Sequence, residues 1–293
     1  MSRIHDALKR AEEDRAAAQG SPTEAPGATE AAGVVPIAPG FSPQFTLAAM
    51  LARCPQTPWN PDPRTMLFFG APEQKQGQEE FRTLRSRLYQ AREKINLKKV
   101  LITSALPKEG KSFVAANLAQ VMVQQPGRRA LLIDADLRGP RLHAVLGTSS
   151  TPGLSEYLLG EVDELSILQR GPMEGLFLIA AGRMAANAAE LVANGRLKSL
   201  LTRFEQLFDW IIIDSPPAVP VTDASLMASY CDGVLMVVRS NATPSDAARK
   251  ARMEFNSQQL LGVVLNGIAS ESAEYYERYY SSGNGVAQPG SGR

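Results

Sequence analysis

The segment Ala105-Leu-Pro-Lys-Glu-Gly-Lys-Ser112 constrains this chain most, because it joins an apolar run, Val100-Leu-Ile102, to a helix-forming stretch. A loop ending in Gly-Lys-Ser between a strand and a helix presents backbone N–H groups to a triphosphate. The lysine reaches the β/γ oxygens and the serine hydroxyl sits on Mg²⁺. Lys108, Glu109, Gly110, Lys111 and Ser112, with Phe113 opening the helix behind them, are therefore the candidate nucleotide-binding set, for ATP or GTP. One position departs from the usual pattern. Ala105 stands where a first glycine is common, and alanine fits there only if its φ stays negative.

Two later segments narrow the reading. Ala130-Leu-Leu-Ile-Asp134-Ala-Asp136-Leu-Arg138 is an apolar strand ending in two carboxylates, and Trp210-Ile-Ile-Ile-Asp214-Ser-Pro-Pro217 is another ending in one. In a parallel sheet the C-terminal strand ends share one edge, where ligands bind. Three such ends gather Lys111 and Ser112, Asp134 and Asp136, and Asp214 around a single Mg-nucleotide. A lone Asp after a strand would read as a turn or helix cap; three apolar strands ending this way point to one site.

The rest of the core alternates. Helices are expected over about 75–94, 111–124, 153–159 (capped by Ser155), 187–207, 222–230 and 244–257. Strands are expected over 98–104, 129–134, 176–180, 209–214, 233–239 and 260–266. The fold class that follows is α/β: a parallel sheet with helices on both faces, a P-loop NTPase fold. Asn266 falls at a strand end near the nucleotide edge, where it either contacts a base edge or ends the strand.

The 293 residues divide into four parts. Residues 1–18 read as a short helix, too short to be stable alone. Residues 19–63 hold nine of the 20 prolines and read as a linker, within which Phe45–Arg53 forms a helical turn or two. Residues 64–267 carry the enzyme domain, and 268–293 a polar, flexible tail. The net charge of +1 gives no pull toward nucleic acid. Two cysteines are too few for a disulfide framework or a self-contained zinc site. With no membrane-length apolar run and no signal-peptide core, a cytoplasmic location is expected.

The tail holds four of the seven tyrosines, Tyr275, Tyr276, Tyr279 and Tyr280, within six positions. As i,i+4 pairs they could form an aromatic stripe. Yet no Val, Leu, Ile or Met stands between Ile268 and Val286, and Glu271, Glu274 and Glu277 surround them. Exposed phenols tethered to a nucleotide site read as phosphate acceptors.

Together these motifs resemble the bacterial tyrosine kinases (BY-kinases) of exopolysaccharide and capsule biosynthesis, over about residues 75–280. The resemblance rests on the loop 105–112, the Asp-x-Asp-x-Arg end at 134–138, Asp214-Ser-Pro-Pro217, Glu79-x-x-Arg82-x-x-Arg85 and the tyrosine cluster. It implies that Ser112, Asp134 and Asp214 organise Mg²⁺, and that Arg138 belongs to the nucleotide site. It also implies that Lys111, Asp134, Asp136 and Asp214 are catalytic, with Asp134 or Asp136 taking the phenol proton. Glu79, Arg82 and Arg85 would mediate subunit contacts in a ring. The implied partners are ATP with Mg²⁺, further copies of the chain, and a membrane-anchored polysaccharide co-polymerase that would hold it at the inner membrane. Where many members carry Pro-Pro-Asn-Pro-x-Glu-Leu, this chain reads Ala185-Ala-Asn187-Ala-Ala-Glu190-Leu191. Read physically, Glu79, Arg82 and Arg85 span about 120° of a helix and are either a solvated face or one that meets its complement on a second copy. No His-Arg-Asp loop or Asp-Phe-Gly segment points to the eukaryotic-type kinase fold.

Two rival readings remain. A partition- or division-site-type ATPase switch typically places a second lysine five residues before the main one; here that position is Leu106. The other is a nucleotide-dependent assembly scaffold without kinase activity.

Overall fold

A computed structural model of the chain describes residues 46–54, 56–69 and 77–268. The expected helix over 1–18, much of the segment read as linker, and the four tail tyrosines lie outside the described residues.

Among the described residues seven strands form one sheet: β1 Lys99–Ser104, β2 Ala130–Asp134, β3 Leu168–Arg170, β4 Leu176–Ile179, β5 Trp210–Asp214, β6 Gly233–Arg239 and β7 Leu260–Asn266. Their spatial order is β3-β4-β2-β5-β1-β6-β7. Every pairing is parallel except β3 with β4. The central strands β2 and β5 are buried along their whole length, and β1 along all but Lys99. Unbroken apolar runs are what a parallel sheet covered on both faces requires.

Among the described residues the helices are α1 Leu47–Arg53, α2 Gln78–Arg92, α3 Lys111–Val123, α4 Leu142–Leu146, α5 Leu154–Leu159, α6 Ala188–Ala193, α7 Arg196–Phe204, α8 Asp223–Ala228 and α9 Ser245–Met253. One core holds α2, α3 and α4 with Val100, Ile102, Leu132 and Ile212 from the sheet. The other holds α5 to α9 with Leu101, Leu131, Ile133, Ile211 and Ile213. Each buried Leu or Ile contributes on the order of 1.5–3 kcal/mol, so these alternating strand residues tie both helical layers to one sheet.

The phosphate-loop helix α3 is the most enclosed helix, with every residue but Phe113 buried. Such a helix is apolar all round because it has no solvent side. Its two buried amides explain what covers it. Asn117 accepts from Leu67 N (2.8 Å) and donates to Thr65 O (2.8 Å) and Phe113 O (2.9 Å). Gln120 accepts from Phe68 N (3.3 Å) and donates to Ala116 O (3.0 Å). Gln78 of α2 donates to Leu67 O (2.7 Å). In the strap 65–68, a run of turns outside the sheet, Thr65 N and Met66 N donate to Asp62 O, and the groups of Leu67, Phe68 and Thr65 that remain are met by side chains of the helices beneath.

Four expectations change. The stretch from Thr46 to Pro63, read as linker, packs on the domain: Met50, Cys54 and Trp59 are buried, and Thr57 N donates to Arg170 O (2.8 Å). The single helix expected over 187–207 is two, because Gly195 adopts a left-handed φ of 82° and Asn194 turns its side chain to Leu158 O. Helix α5 begins after Gly153, whose N–H is taken by Glu156 (2.8 Å), so Ser155 lies inside the helix and not at its cap. The antiparallel edge strand β3 was not anticipated; three residues are too few to show a period.

Replacing Asn117 with Ala leaves the buried Leu67 N and the part-buried Thr65 O without their partner. The expected loss is about 1–3 kcal/mol in urea unfolding, with faster proteolysis ahead of residue 69. An unchanged midpoint and cleavage rate would mean that the strap is held by its apolar side chains alone.

Candidate functional site

The pairing of β2 with β5 sets Asp134 directly beside Asp214, and β1 sets Ile102 on the other side of Asp214. The three strand ends read from the sequence therefore meet at one edge of the sheet. The loop after β1 runs across this edge. It is fixed at its start by Ala218 N to Ser104 O (2.8 Å) and by the Ser104 hydroxyl to Leu106 O (2.8 Å). Among the described residues the non-glycines with positive φ are Lys108 and Asn241, so Ala105 meets the condition its missing glycine imposed.

The lysine lies among the acids. Lys111 Nζ is 2.8 Å from Asp136 Oδ2 and 4.0 Å from Asp214 Oδ1. Burial pulls its ammonium pKa down, but Asp214 and Asp136 outweigh that and hold it above the ordinary value. Asp134 Oδ2 accepts from Arg141 N (3.0 Å) and Leu142 N (2.9 Å), and Oδ1 from Asp136 N (3.3 Å). Burial, then the charge of Asp214, raises the pKa of Asp134 well above the carboxylate range despite those bonds. Asp214 is raised as well, by burial first, with Lys111 and the Ser112 hydroxyl pulling the other way. Both Asp214 oxygens are buried without a hydrogen bond of good geometry, so the Ser112 hydroxyl faces this carboxylate without satisfying it.

An orphaned buried carboxylate beside the phosphate loop fits a hard cation. No cluster of three or more His, Cys, Asp or Glu side chains able to hold a metal occurs among the described residues. Mg²⁺ does not need one, since it binds through one or two carboxylates with phosphates and water. Asp214, Asp134 and Ser112 are the residues that would hold it.

Other expected site residues are committed to protein contacts. Glu109 turns both oxygens back, accepting from Leu106 N (3.0 Å) and from the Thr243 hydroxyl. Gly110 has a φ of 96° and opens α3. Lys108 holds a left-handed φ of 67° and its carbonyl accepts from Arg239 Nη1 (3.2 Å). Phe113 packs edge-on against Phe81 of α2, ring centres 5.8 Å apart. Arg138 forms a two-pronged pair with buried Asp223 (2.8 and 3.2 Å). Asn266 donates to Glu109 O (2.9 Å). The Glu/Arg triplet divides: Glu79 pairs with Arg82 (3.0 Å) on the exposed side of α2, whereas Arg85 donates to Val121 O (2.9 Å) at the end of α3.

Asp223, Arg239 and Thr243 were missed. Asp223 follows Thr222 as an ordinary first-turn acid, so only its place opposite Arg138 marks it. Arg239 ends β6 and Thr243 sits in the β6–α9 loop, with no motif around either.

Strand, Gly-Lys-Ser loop and helix, with aspartates closing two neighbouring strands of a mostly parallel sheet, define a P-loop NTPase site. The ParA family, described as NUBPL iron-transfer P-loop NTPase, matches residues 96–288. Tyrosine-protein kinase YwqD of Bacillus subtilis is 35% identical over 208 residues, covering 70% of this chain and 87% of that one. Tyrosine-protein kinase wzc of Salmonella typhimurium is 33% identical over 204 residues; the match covers 69% of this chain and 28% of that one, little more than a quarter of its length. The crystal structure of the chimerical protein CapA2B2 superposes with a TM-score of 0.66 at 29% identity, covering 72% of this chain and 92% of that one. The chain belongs to the bacterial tyrosine-protein kinase family, within the ParA-type P-loop NTPases. Cys54 and Cys231 form no iron-carrying pair: each is buried and donates to a backbone carbonyl, of Leu168 and Met227. Among the described residues no helix is long and apolar enough to cross a membrane.

The raised carboxylates have a consequence for the nucleotide-free protein. Their native pKa values exceed the unfolded value of about 4, so the native state binds more protons. Stability should fall as pH rises from there toward neutrality and stay low above the native values. Asp214→Asn removes one buried charge and should raise the melting temperature at pH 8 by about 2–4 °C per kcal/mol relieved. At pH 5 the gain should shrink. Thermal melts at the two pH values check this, and an equal or lower melting temperature for the variant at pH 8 refutes it.

Proposed function

We propose that this chain is an ATP-dependent protein tyrosine autokinase of the exopolysaccharide or capsule type, phosphorylating its own tail tyrosines from one subunit to the next. The observation that carries the reading is the convergence of Lys111, Asp136 and the unsatisfied Asp214 at the edge crossed by the phosphate loop. Phosphoryl transfer needs positioning and charge neutralisation more than covalent chemistry, and this edge offers both.

Bound Mg²⁺ would supply charge neutralisation across the β and γ phosphates. The chain's own residues do the rest. Lys111, engaged with Asp136 in the nucleotide-free protein, has the triphosphate as its stronger partner. Its departure frees Asp136 Oδ2, while Oδ1 goes on accepting from Gly139 N (3.0 Å). A phenol of pKa about 10 is protonated at neutral pH and needs an acceptor for its proton as the oxygen–phosphorus bond forms and the bond to the β–γ bridging oxygen breaks. Of the two candidates, Asp136 suits that role better than Asp134, whose oxygens both accept backbone N–H groups.

Tyr275, Tyr276, Tyr279 and Tyr280 are the acceptors in this reading, and a homo-oligomeric ring brings each tail to a neighbour's site, raising its effective concentration. The exposed pair Glu79 and Arg82 is the ring contact. Arg85 supports it from behind by fixing α2 to α3. A membrane-anchored co-polymerase is the proposed activator, and would place the protein on the cytoplasmic side of the inner membrane. The ATPase-switch alternative finds Leu106 where its second lysine would stand.

The full chain incubated with ATP and Mg²⁺ should show a ladder of added phosphates by intact mass, removed by phosphatase and mapped to the four tail tyrosines. Lys111→Ala should lower the signal at least about 100-fold with an unchanged circular dichroism spectrum. ATP hydrolysis without protein-bound phosphate would make the chain a switch, not a kinase.

Oligomerisation has its own test. Glu79→Ala with Arg82→Ala should shift the mass seen by light scattering toward monomer without lowering the melting temperature, because an exposed pair stabilises by only about 0–1 kcal/mol. An unchanged mass distribution would leave this face solvated.

A further inference from the structure

The phosphate loop carries an acid, Glu109, where a polyphosphate must bind. The side chain is buried, 4% exposed, and held by two donors. One is Leu106 N, within the loop; the other is the Thr243 hydroxyl, from the β6–α9 connection. That hydroxyl also accepts from Arg239 N (2.9 Å). The Arg239 guanidinium reaches Lys108 O, at the residue forced into the left-handed region. From β7, Asn266 donates to Glu109 O, and its own carbonyl accepts from Ser240 N (2.8 Å). Asn266 Nδ2 lies over Gly110 so closely that a Cβ there would stand 2.0 Å from it. Four side chains from three chain segments thus meet on the middle of the loop, none of them aimed at the reacting end where Lys111 and the aspartates lie.

Lys108 is a non-glycine in a disfavoured conformation, which persists only where its surroundings over-determine it. A loop that must present successive N–H groups to phosphates gains affinity if it is already shaped before the ligand arrives. We propose that Glu109, Thr243, Arg239 and Asn266 form a clamp that holds the phosphate loop in its binding shape, making Thr243 and Arg239 positioning residues for nucleotide affinity. The inference rests on the assignment of 105–112 as the nucleotide site. It gives Asn266 a role distinct from both base reading and strand ending, and it explains why an acid is tolerated in the loop: its charge is turned away from the phosphates and tied to the neighbouring connection.

The test is titration of the full-length protein with a fluorescent ATP analogue in Mg²⁺, which reads binding whether or not phosphate is transferred. Thr243→Val removes the hydroxyl at nearly constant volume and should weaken binding about tenfold, the scale of one hydrogen bond to a charged group. Thr243→Ser keeps the hydroxyl and should restore affinity to within about twofold of the wild type. In autophosphorylation the loss should fall on KM for ATP more than on kcat. Asn266→Ala should weaken the ATP and GTP analogues by the same factor. Wild-type affinity in Thr243→Val, or a loss confined to kcat, overturns the clamp. Weakening of ATP alone in Asn266→Ala overturns it at β7 and makes that residue a base reader. If the wild type binds no nucleotide, the site assignment fails and the clamp with it.

Discussion

The register between β2 and β5 is the constraint on which the rest of the structure depends. It places two aspartates side by side at the same depth, Asp134 against Asp214, with neither exposed to water. A one-residue slip would turn one of them to the opposite face of the sheet. The apolar runs Leu131–Ile133 and Ile211–Ile213 alternate between the two helical layers, so both strands are buried on both faces right up to the aspartates. The site is thus positioned by the same side chains that make the core, and its cost is set there too. Burial raises the proton affinity of both carboxylates, the charge of Asp214 raises that of Asp134 further, and the backbone bonds to Asp134 only partly offset this.

Around that pair the chain divides the work between rigid and conditional contacts. Asp134 is anchored by backbone amides of the Arg141–Leu142 turn and Arg138 by Asp223, so neither depends on ligand. Lys111 with Asp136 is different: in the proposed function both partners would have a second use once a triphosphate enters, and the contact between them is the one that ligand binding would exchange. On the outer side, α3 is gripped by the strap through Asn117 and Gln120 and by α2 through Phe81 against Phe113. The helix that presents Lys111 and Ser112 is therefore framed from the sheet, from α2 and from the segment before it.

What the sequence revealed follows from where the signals are local. Gly-Lys-Ser, Asp134 and Asp214 lie at the ends of apolar runs, and a run of four or five buried residues is readable without knowing its partners. The strap was not readable, since its stability comes from amides of Asn117 and Gln120 some 50 positions away. Composition said linker for the segment just before it, up to Pro63, because prolines and small residues dominate there. The long helix over 187–207 looked continuous because Asn194-Gly195 is a weak break in a strongly apolar pattern; a left-handed glycine ended it. The Glu/Arg triplet showed its spacing but not its partners, and only the geometry separates Arg85, held by Val121 O, from the exposed Glu79–Arg82 pair. Glu109 and Asn266 stood out by position, but the rest of the clamp left no signal, because Thr243 and Arg239 are ordinary residues until the sheet brings β6 beside β1.

This division bears on how such a site could exist in a marginally stable protein. A buried carboxylate without hydrogen bonds is unfavourable by itself, on the order of 1–3 kcal/mol or more for a charged group, and Asp214 has nothing but Lys111 and Ser112 nearby to relieve it. The surrounding structure absorbs that strain because β5 is central, paired on both sides, and roofed by a helix layer on each face. At an edge strand the same aspartate would draw in water or force the strand to move. Placing the least satisfied group at the most constrained point leaves the carboxylate unable to rearrange and find a partner of its own. A cation and a polyphosphate can then gain the relief that folding withheld, which makes the cost of building the site part of the affinity for what it binds.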